Sequence, residues 1–197
     1  MKKILLILSA VALIASCNQK NKQNSSKKTG DKPADPAYVI TKDGIGELKL
    51  GMTQEDLEKL LNQKLGMKHA KDTGEVWADT AVIKYKDMDV SLFFERQYTD
   101  DQNVNILQLI AVETGSPLCK TDSGLGTGDD RSAILSAYEN NPIDMGPVED
   151  MINDTTWAFS KTKYYVNVKD DKWDRQLIFH LTDKKVTSIE ATIIMGE

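Results

Sequence analysis

The chain has 197 residues, with 25 basic and 30 acidic side chains, a net charge of −5 and a hydrophobic content of 40%. That is ordinary for a globular fold with a core of its own, and the acidic balance argues against nucleic-acid binding. Two cysteines and two histidines in the whole sequence leave little material for a disulfide framework or a multi-histidine metal centre.

In chain order, Lys2 and Lys3 precede an apolar run over residues 4–15 that is interrupted only by Ser9. A membrane-spanning helix needs roughly 20 apolar residues, so this run has the dimensions of an export signal. Ile14-Ala15-Ser16-Cys17 resembles the lipobox of bacterial lipoproteins. The resemblance implies that residues 1–16 are a signal peptide and that Cys17 takes a diacylglycerol, becomes the first residue of the mature chain and binds it to a membrane. The alternative is an ordinary secretory peptide in which Cys17 is incidental. If Cys17 is a thioether, Cys119 has no intramolecular partner and reads as a buried structural thiol. Asn18 follows Cys17, rather than the aspartate that retains lipoproteins in the inner membrane of some Gram-negative bacteria, so the outer membrane is expected, with the domain facing the periplasm.

Residues 18–36 carry no large apolar side chain, and residues 17–37 read as a flexible tether. It contains five lysines and two aspartates, whereas residues 37–197 hold 18 basic and 28 acidic side chains. A basic tether suits an anionic lipid surface.

The rest divides into two segments that begin alike, 38–120 and 121–197. Gly44-Ile45-Gly46-Glu47-Leu48-Lys49-Leu50-Gly51-Met52-Thr53 leads into a helical pattern at Leu57, Leu60 and Leu61, and Gly124-Leu125-Gly126-Thr127-Gly128-Asp129-Asp130 leads into Ile134, Ala137 and Tyr138. Thr53 and Asp130 stand at matched N-cap positions, each able to accept from first-turn amides. Alternation then predicts strands at Ala81/Ile83/Tyr85, at Val90/Leu92/Phe94 and over residues 106–112. Asp100-Asp101-Gln102-Asn103 reads as a solvated hairpin turn. In the second segment the same pattern recurs at Trp157/Phe159, Tyr164/Val166/Val168, Leu177/Phe179/Leu181 and Ile189/Ala191/Ile193. Asp170-Asp171 and Asp183-Lys184-Lys185 are turns between these strands. The expected fold is α+β: two tandem helix-plus-antiparallel-meander modules forming a sheet with helices packed on one face.

The two glycine-led helix starts resemble the SmpA/OmlA (BamE-like) lipoprotein modules, and their tandem arrangement resembles the β-lactamase-inhibitory-protein-like fold. The resemblance implies a small envelope protein that works by binding another protein. Two departures stand out: the inhibitory proteins are disulfide-stapled, and the barrel-assembly lipoprotein has one module.

Residue chemistry points away from catalysis. The spacing of Gly124, Gly126 and Gly128 differs from that of Gly44, Gly46 and Gly51, so these glycines read as turn formers rather than a phosphate cradle. His69 and His180 have no ligand spacing that links them, and no Gly-x-Ser-x-Gly elbow occurs. No cofactor or metal is expected. If Leu92, Phe94, Leu177 and Phe179 point inward, then Phe93, Tyr165, Ile178 and His180 fall on the opposite face and are the candidate protein-binding patch. The alternative is that they pack under loops or against the neighbouring module. The expected function is a lipid-anchored, non-enzymatic binding or scaffolding protein of the envelope; a periplasmic small-ligand sensor and an envelope hydrolase are the alternatives.

Overall fold

Alternating apolar and polar side chains set one face of a strand in the core and the other toward water, and this pattern governs most of the chain. The computed structural model describes residues 35–69, 78–98, 105–153, 156–172 and 174–194. The expected signal peptide, Cys17, all of the tether before Asp35, and the Asp100-Asp101-Gln102-Asn103 turn lie outside the described residues.

After a short 3₁₀ turn at Pro36–Tyr38 come β1 (Val39–Thr41), β2 (Gly44–Ile45), β3 (Leu48–Lys49) and helix α1 (Gln54–Leu61). A meander follows: β4 (Asp79–Tyr85), β5 (Met88–Tyr98) and β6 (Asn105–Thr114). Then β7 (Lys120–Thr121) and helix α2 (Arg131–Ala137) lead into β8 (Ile143–Asn153), β9 (Thr156–Lys169), β10 (Arg175–Thr182) and β11 (Lys185–Ile193). Seven strands form one sheet in the order β4-β5-β6-β11-β10-β9-β8, and the four short ones form a second, β3-β2-β1-β7. The large sheet is antiparallel throughout. Its two halves are joined where β6 meets β11, from Ala111 opposite Thr192 to Thr114 opposite Ile189.

This corrects the α+β expectation. The structure is mostly β, with 57% of the described residues in strands and 13% in helix, and it has two sheets rather than one sheet under a helical layer. The cause lies in the glycine-led segments. Ile45 and Leu48, which lie between glycines expected to form turns, sit in strands: β2 pairs with β1, β3 pairs with β2, and β7 adds parallel to β1 at Val39 and Ile40. The helices are only eight and seven residues long and bury one residue each, Leu57 and Ile134. The inner face of the large sheet supplies Ile83, Leu92, Phe94, Val166, Leu177 and Phe179 among others, and these share one core with Ile40, Ile45, Leu48, Leu57 and Ile134. Tyr138, at the end of α2, tilts its ring against Phe179 with centroids 5.9 Å apart.

Thr53 caps α1 as a reciprocal pair: its hydroxyl oxygen accepts from the Asp56 amide at 3.2 Å and donates to the Asp56 carboxylate at 2.8 Å. Asp130 occupies the matching position of α2, but its side chain makes no cap hydrogen bond; its carboxylate pairs instead with Lys185 at 3.0 Å. Gly51, Gly124, Gly126 and Gly128 lie in the connections that lead into the two helices.

Two glycines are fixed by close approach. Gly44 has φ +130°, and a Cβ there would stand 2.0 Å from the Leu48 carbonyl oxygen. Gly46, at φ +55°, would meet the Tyr85 hydroxyl at 2.5 Å, the same hydroxyl that accepts from the Glu47 amide at 3.1 Å. Tyr85 on β4 thus ties the small sheet to the large one. Gly44→Ala is expected to destabilise the fold by more than about 1 kcal/mol, because both the backbone angle and the facing carbonyl resist a side chain; urea unfolding, read as a lower midpoint at unchanged slope, checks this.

Candidate functional site

The outer face of the large sheet carries the four residues of the predicted patch. Tyr165 on β9 lies opposite His180 on β10, and Ile178 lies opposite Asn167. Phe93 is on β5, opposite Thr80 and Ala111, about 14 Å or three strand spacings from β10. The structure therefore groups Tyr165, Ile178 and His180 and sets Phe93 apart. All four are half-buried. Tyr165 also lies across Gly146 of the edge strand β8, where an added Cβ would come within 2.9 Å of its hydroxyl, so its ring covers a position that has no side chain.

Between Phe93 and this group runs a polar cluster that the sequence alone did not reveal. Glu113 on β6 is directly opposite Glu190 on β11, and His180 is opposite Ser188. The imidazole Nε2 of His180 lies 3.1 Å from Glu190 Oε2, and the Ser188 hydroxyl donates to Glu113 Oε1 at 2.6 Å. Burial pulls the His180 pKa down, but the hydrogen bond and charge of Glu190, with the charge of Glu113, outweigh it and leave the pKa raised. The serine here is bonded to a carboxylate and not to the imidazole, which is not the wiring of a nucleophilic triad.

A second feature is a ribbon. Pairing of β9 with β10 begins only at Lys163, opposite Thr182. Before that point β9 pairs with β8 alone: Glu149 with Phe159, Asp150 with Ala158, Met151 with Trp157 and Asn153 with Thr156. Trp157 and Phe159, expected to offer the apolar face of a separate strand, belong to the same strand as Val166 and Val168 and are 57% and 65% exposed. Met151 and Ile152 are likewise exposed, at 54% and 64%. Met151, Trp157 and Phe159 share one side of the ribbon by register, a run of large apolar side chains of the kind that marks interaction surfaces.

A depression of about 490 Å³ beside α1 is lined by Glu55, Glu58, Lys59, Asn62, Gln63 and Lys64. Its organising group is Glu58, which accepts from Lys64 Nζ at 2.6 Å, Gln54 Nε2 at 2.9 Å and the Leu65 amide at 3.2 Å. The hydrogen bonds from Lys64, Gln54 and Leu65, in that order, hold its carboxyl down at about 2. This closes the end of the helix and aims no reactive group at a ligand. His69, the other imidazole, sits with Nδ1 3.0 Å from the buried carboxylate of Asp79, which Arg96 also meets at 3.1 Å. Cys119 is buried, and burial pushes its thiol up to about 11, so it remains protonated and unreactive.

Comparison with protein families, curated proteins and solved structures returned no match to this chain.

Because Glu58 titrates lower in the folded chain than in the unfolded one, its contribution is complete above about pH 4.5 and is lost as pH falls toward about 2. Glu58→Gln is therefore expected to lower the melting temperature at pH 7, with the gap to the parent closing between those limits; a melting series across pH 2–7 checks it.

Proposed function

We propose that this chain is a lipid-anchored protein of the bacterial cell envelope whose folded part binds a protein partner through the β8–β9 ribbon. The observation that carries the binding role is the exposed apolar side of the ribbon, Met151, Trp157 and Phe159, held out beyond the last pair with β10. Aromatic side chains on a stiff two-stranded support offer large contact area at small entropic cost. The anchor rests on the lipobox resemblance at Cys17, and outer-membrane placement facing the periplasm rests on Asn18. The resemblance of the glycine-led helix starts to BamE-like modules agrees with a binding role and is not needed for it.

A protein partner is favoured over a lipid surface by charge: residues 37–197 carry 28 acidic against 18 basic side chains, which an anionic bilayer repels. Side-chain docking is favoured over addition of a strand. The free edge of the sheet at β8 contains Pro147, and the register shifts on both sides of Glu149–Met151 interrupt the ladder that an added strand would follow.

The partner-binding test places a photocrosslinking amino acid at position 159 of the lipidated chain in intact envelopes, with the exposed Lys64 position as control. One protein band from position 159, absent from position 64 and weakened by Trp157→Ser, is the expected result. Melting temperature should barely change in Trp157→Ser, since substitution of an exposed side chain stays within about 0.5 kcal/mol. Crosslinking to lipid alone, or equal yields from both positions, refutes the reading.

The anchor has its own test by thiol count. The mature native protein should not react with a thiol reagent at pH 8, because Cys119 is buried with its pKa near 11. In guanidinium it should release one thiol per chain if Cys17 is a thioether, and two if Cys17 is free.

A further inference from the structure

We propose that Glu113, His180 and Glu190 form a binding site for a divalent transition metal of the zinc class on the outer face of β6, β11 and β10. One ligand atom from each of the three lies within 4.8 Å of the others. Rotation of the two glutamate side chains brings such a set to the separations of ligands about 2 Å from a shared ion. One imidazole and two carboxylates make a nitrogen and oxygen donor set of the kind zinc accepts.

Charge supplies the independent argument. Like charges directly opposite one another in an antiparallel pair are destabilising, yet Glu113 and Glu190 occupy such a pair at the middle of the sheet. Both are half-buried. Among the described residues neither makes an ion pair with a lysine or arginine; the one group in ion-pair contact with Glu190 is His180. A single imidazolium leaves the trio with a net negative charge, whereas a divalent cation neutralises both carboxylates at once. Ser188 donates to Glu113 and so orients a ligand from behind, as outer groups do in metal sites. Three protein ligands leave coordination positions for water.

The site faces the side of the large sheet away from the core. Its residues are separate from Met151, Trp157 and Phe159, so it stands or falls independently of the ribbon.

The test equilibrates the full-length lipidated chain, in detergent, with zinc chloride in chelator-free buffer and counts bound metal after dialysis. Cobalt substitution gives a visible absorption band from the same site. One equivalent of zinc is expected, with affinity at least about 10-fold weaker in His180→Gln and in Glu190→Gln, and unchanged in His69→Gln. Circular dichroism shows whether each variant is folded. Should the His180 or Glu190 variants not fold, the imidazole resonances of His180 in the parent chain, which must shift on adding zinc, decide the matter. No saturable zinc up to about 100 μM, His180 resonances that ignore zinc, or loss of zinc in His69→Gln with retention in His180→Gln overturns the proposal.

Discussion

The pairing of β6 with β11 is the contact on which the rest depends. Each lies at the end of its own meander, β4-β5-β6 on one side and β8 to β11 on the other, and a three-stranded meander left alone would expose one more edge to solvent. Joining them closes both inner edges and makes one inner face wide enough to need a lid. The lid is the small sheet with Leu57 and Ile134 from the helices, all in the same core. The Ala111–Thr192 to Thr114–Ile189 register also decides which side chains face outward together. A shift of one residue along β11 would turn Glu190 inward and Ile189 outward, since side chains alternate with period two. The buried core and the outer polar cluster are therefore set by one register.

Sequence pattern recovered the long strands because each has one buried face. Ala81, Ile83 and Tyr85, then Val90, Leu92 and Phe94, then Leu177, Phe179 and Leu181 all alternate as written and all are buried. It failed where strands are short or lie at an edge. β8 holds Gly146 and Pro147 and has no fully buried residue, so it shows no alternation to read, although as an edge strand it tolerates a proline that a central strand would not. The strands of two or three residues in the small sheet are too brief for any period, and their glycines read as turns. Helical content is overvalued for a related reason: Leu57, Leu60 and Leu61 fit a helical spacing, but Leu60 is 40% exposed and Leu61 only partly buried against the core, so the helix sinks one side chain fully, Leu57.

The candidate sites divide the same way. The outward direction of Phe93, Tyr165, Ile178 and His180 follows from local alternation and was legible. Their grouping was not, because adjacency across strands depends on register between segments far apart in sequence. Glu113 and Ser188, hydrogen-bonded to each other, are 75 residues apart, and no spacing along the chain announces that they meet. His180 was noticed as an outward imidazole without its carboxylates. Trp157 and Phe159 alternate as an apolar pair, and the alternation says that they share a side without saying which side is covered.

What sends that side into solvent is a break in the ladder of β9. Pro147 pairs with Tyr164, and the next pair joins Glu149, two residues on along β8, to Phe159, so one β8 residue faces residues 160–163 on β9. The extra residues fold on themselves: Ser160 Oγ accepts from the Lys163 amide at 3.1 Å, and Lys163 Nζ reaches Asp150 at 3.0 Å. A bulge of this kind bends and twists its strand, and it falls where β10 ends at Thr182. Beyond it, Trp157 and Phe159 have β8 on one side and no pair with β10 on the other, and neither belongs to the core. Shortening the hairpin at the bulge would remove both rings without touching the core, since Val166 and Val168 on its far side belong to that core and Trp157 and Phe159 do not. The ribbon is thus an addition to a sheet whose inner face is already complete, and its large apolar side chains stay exposed.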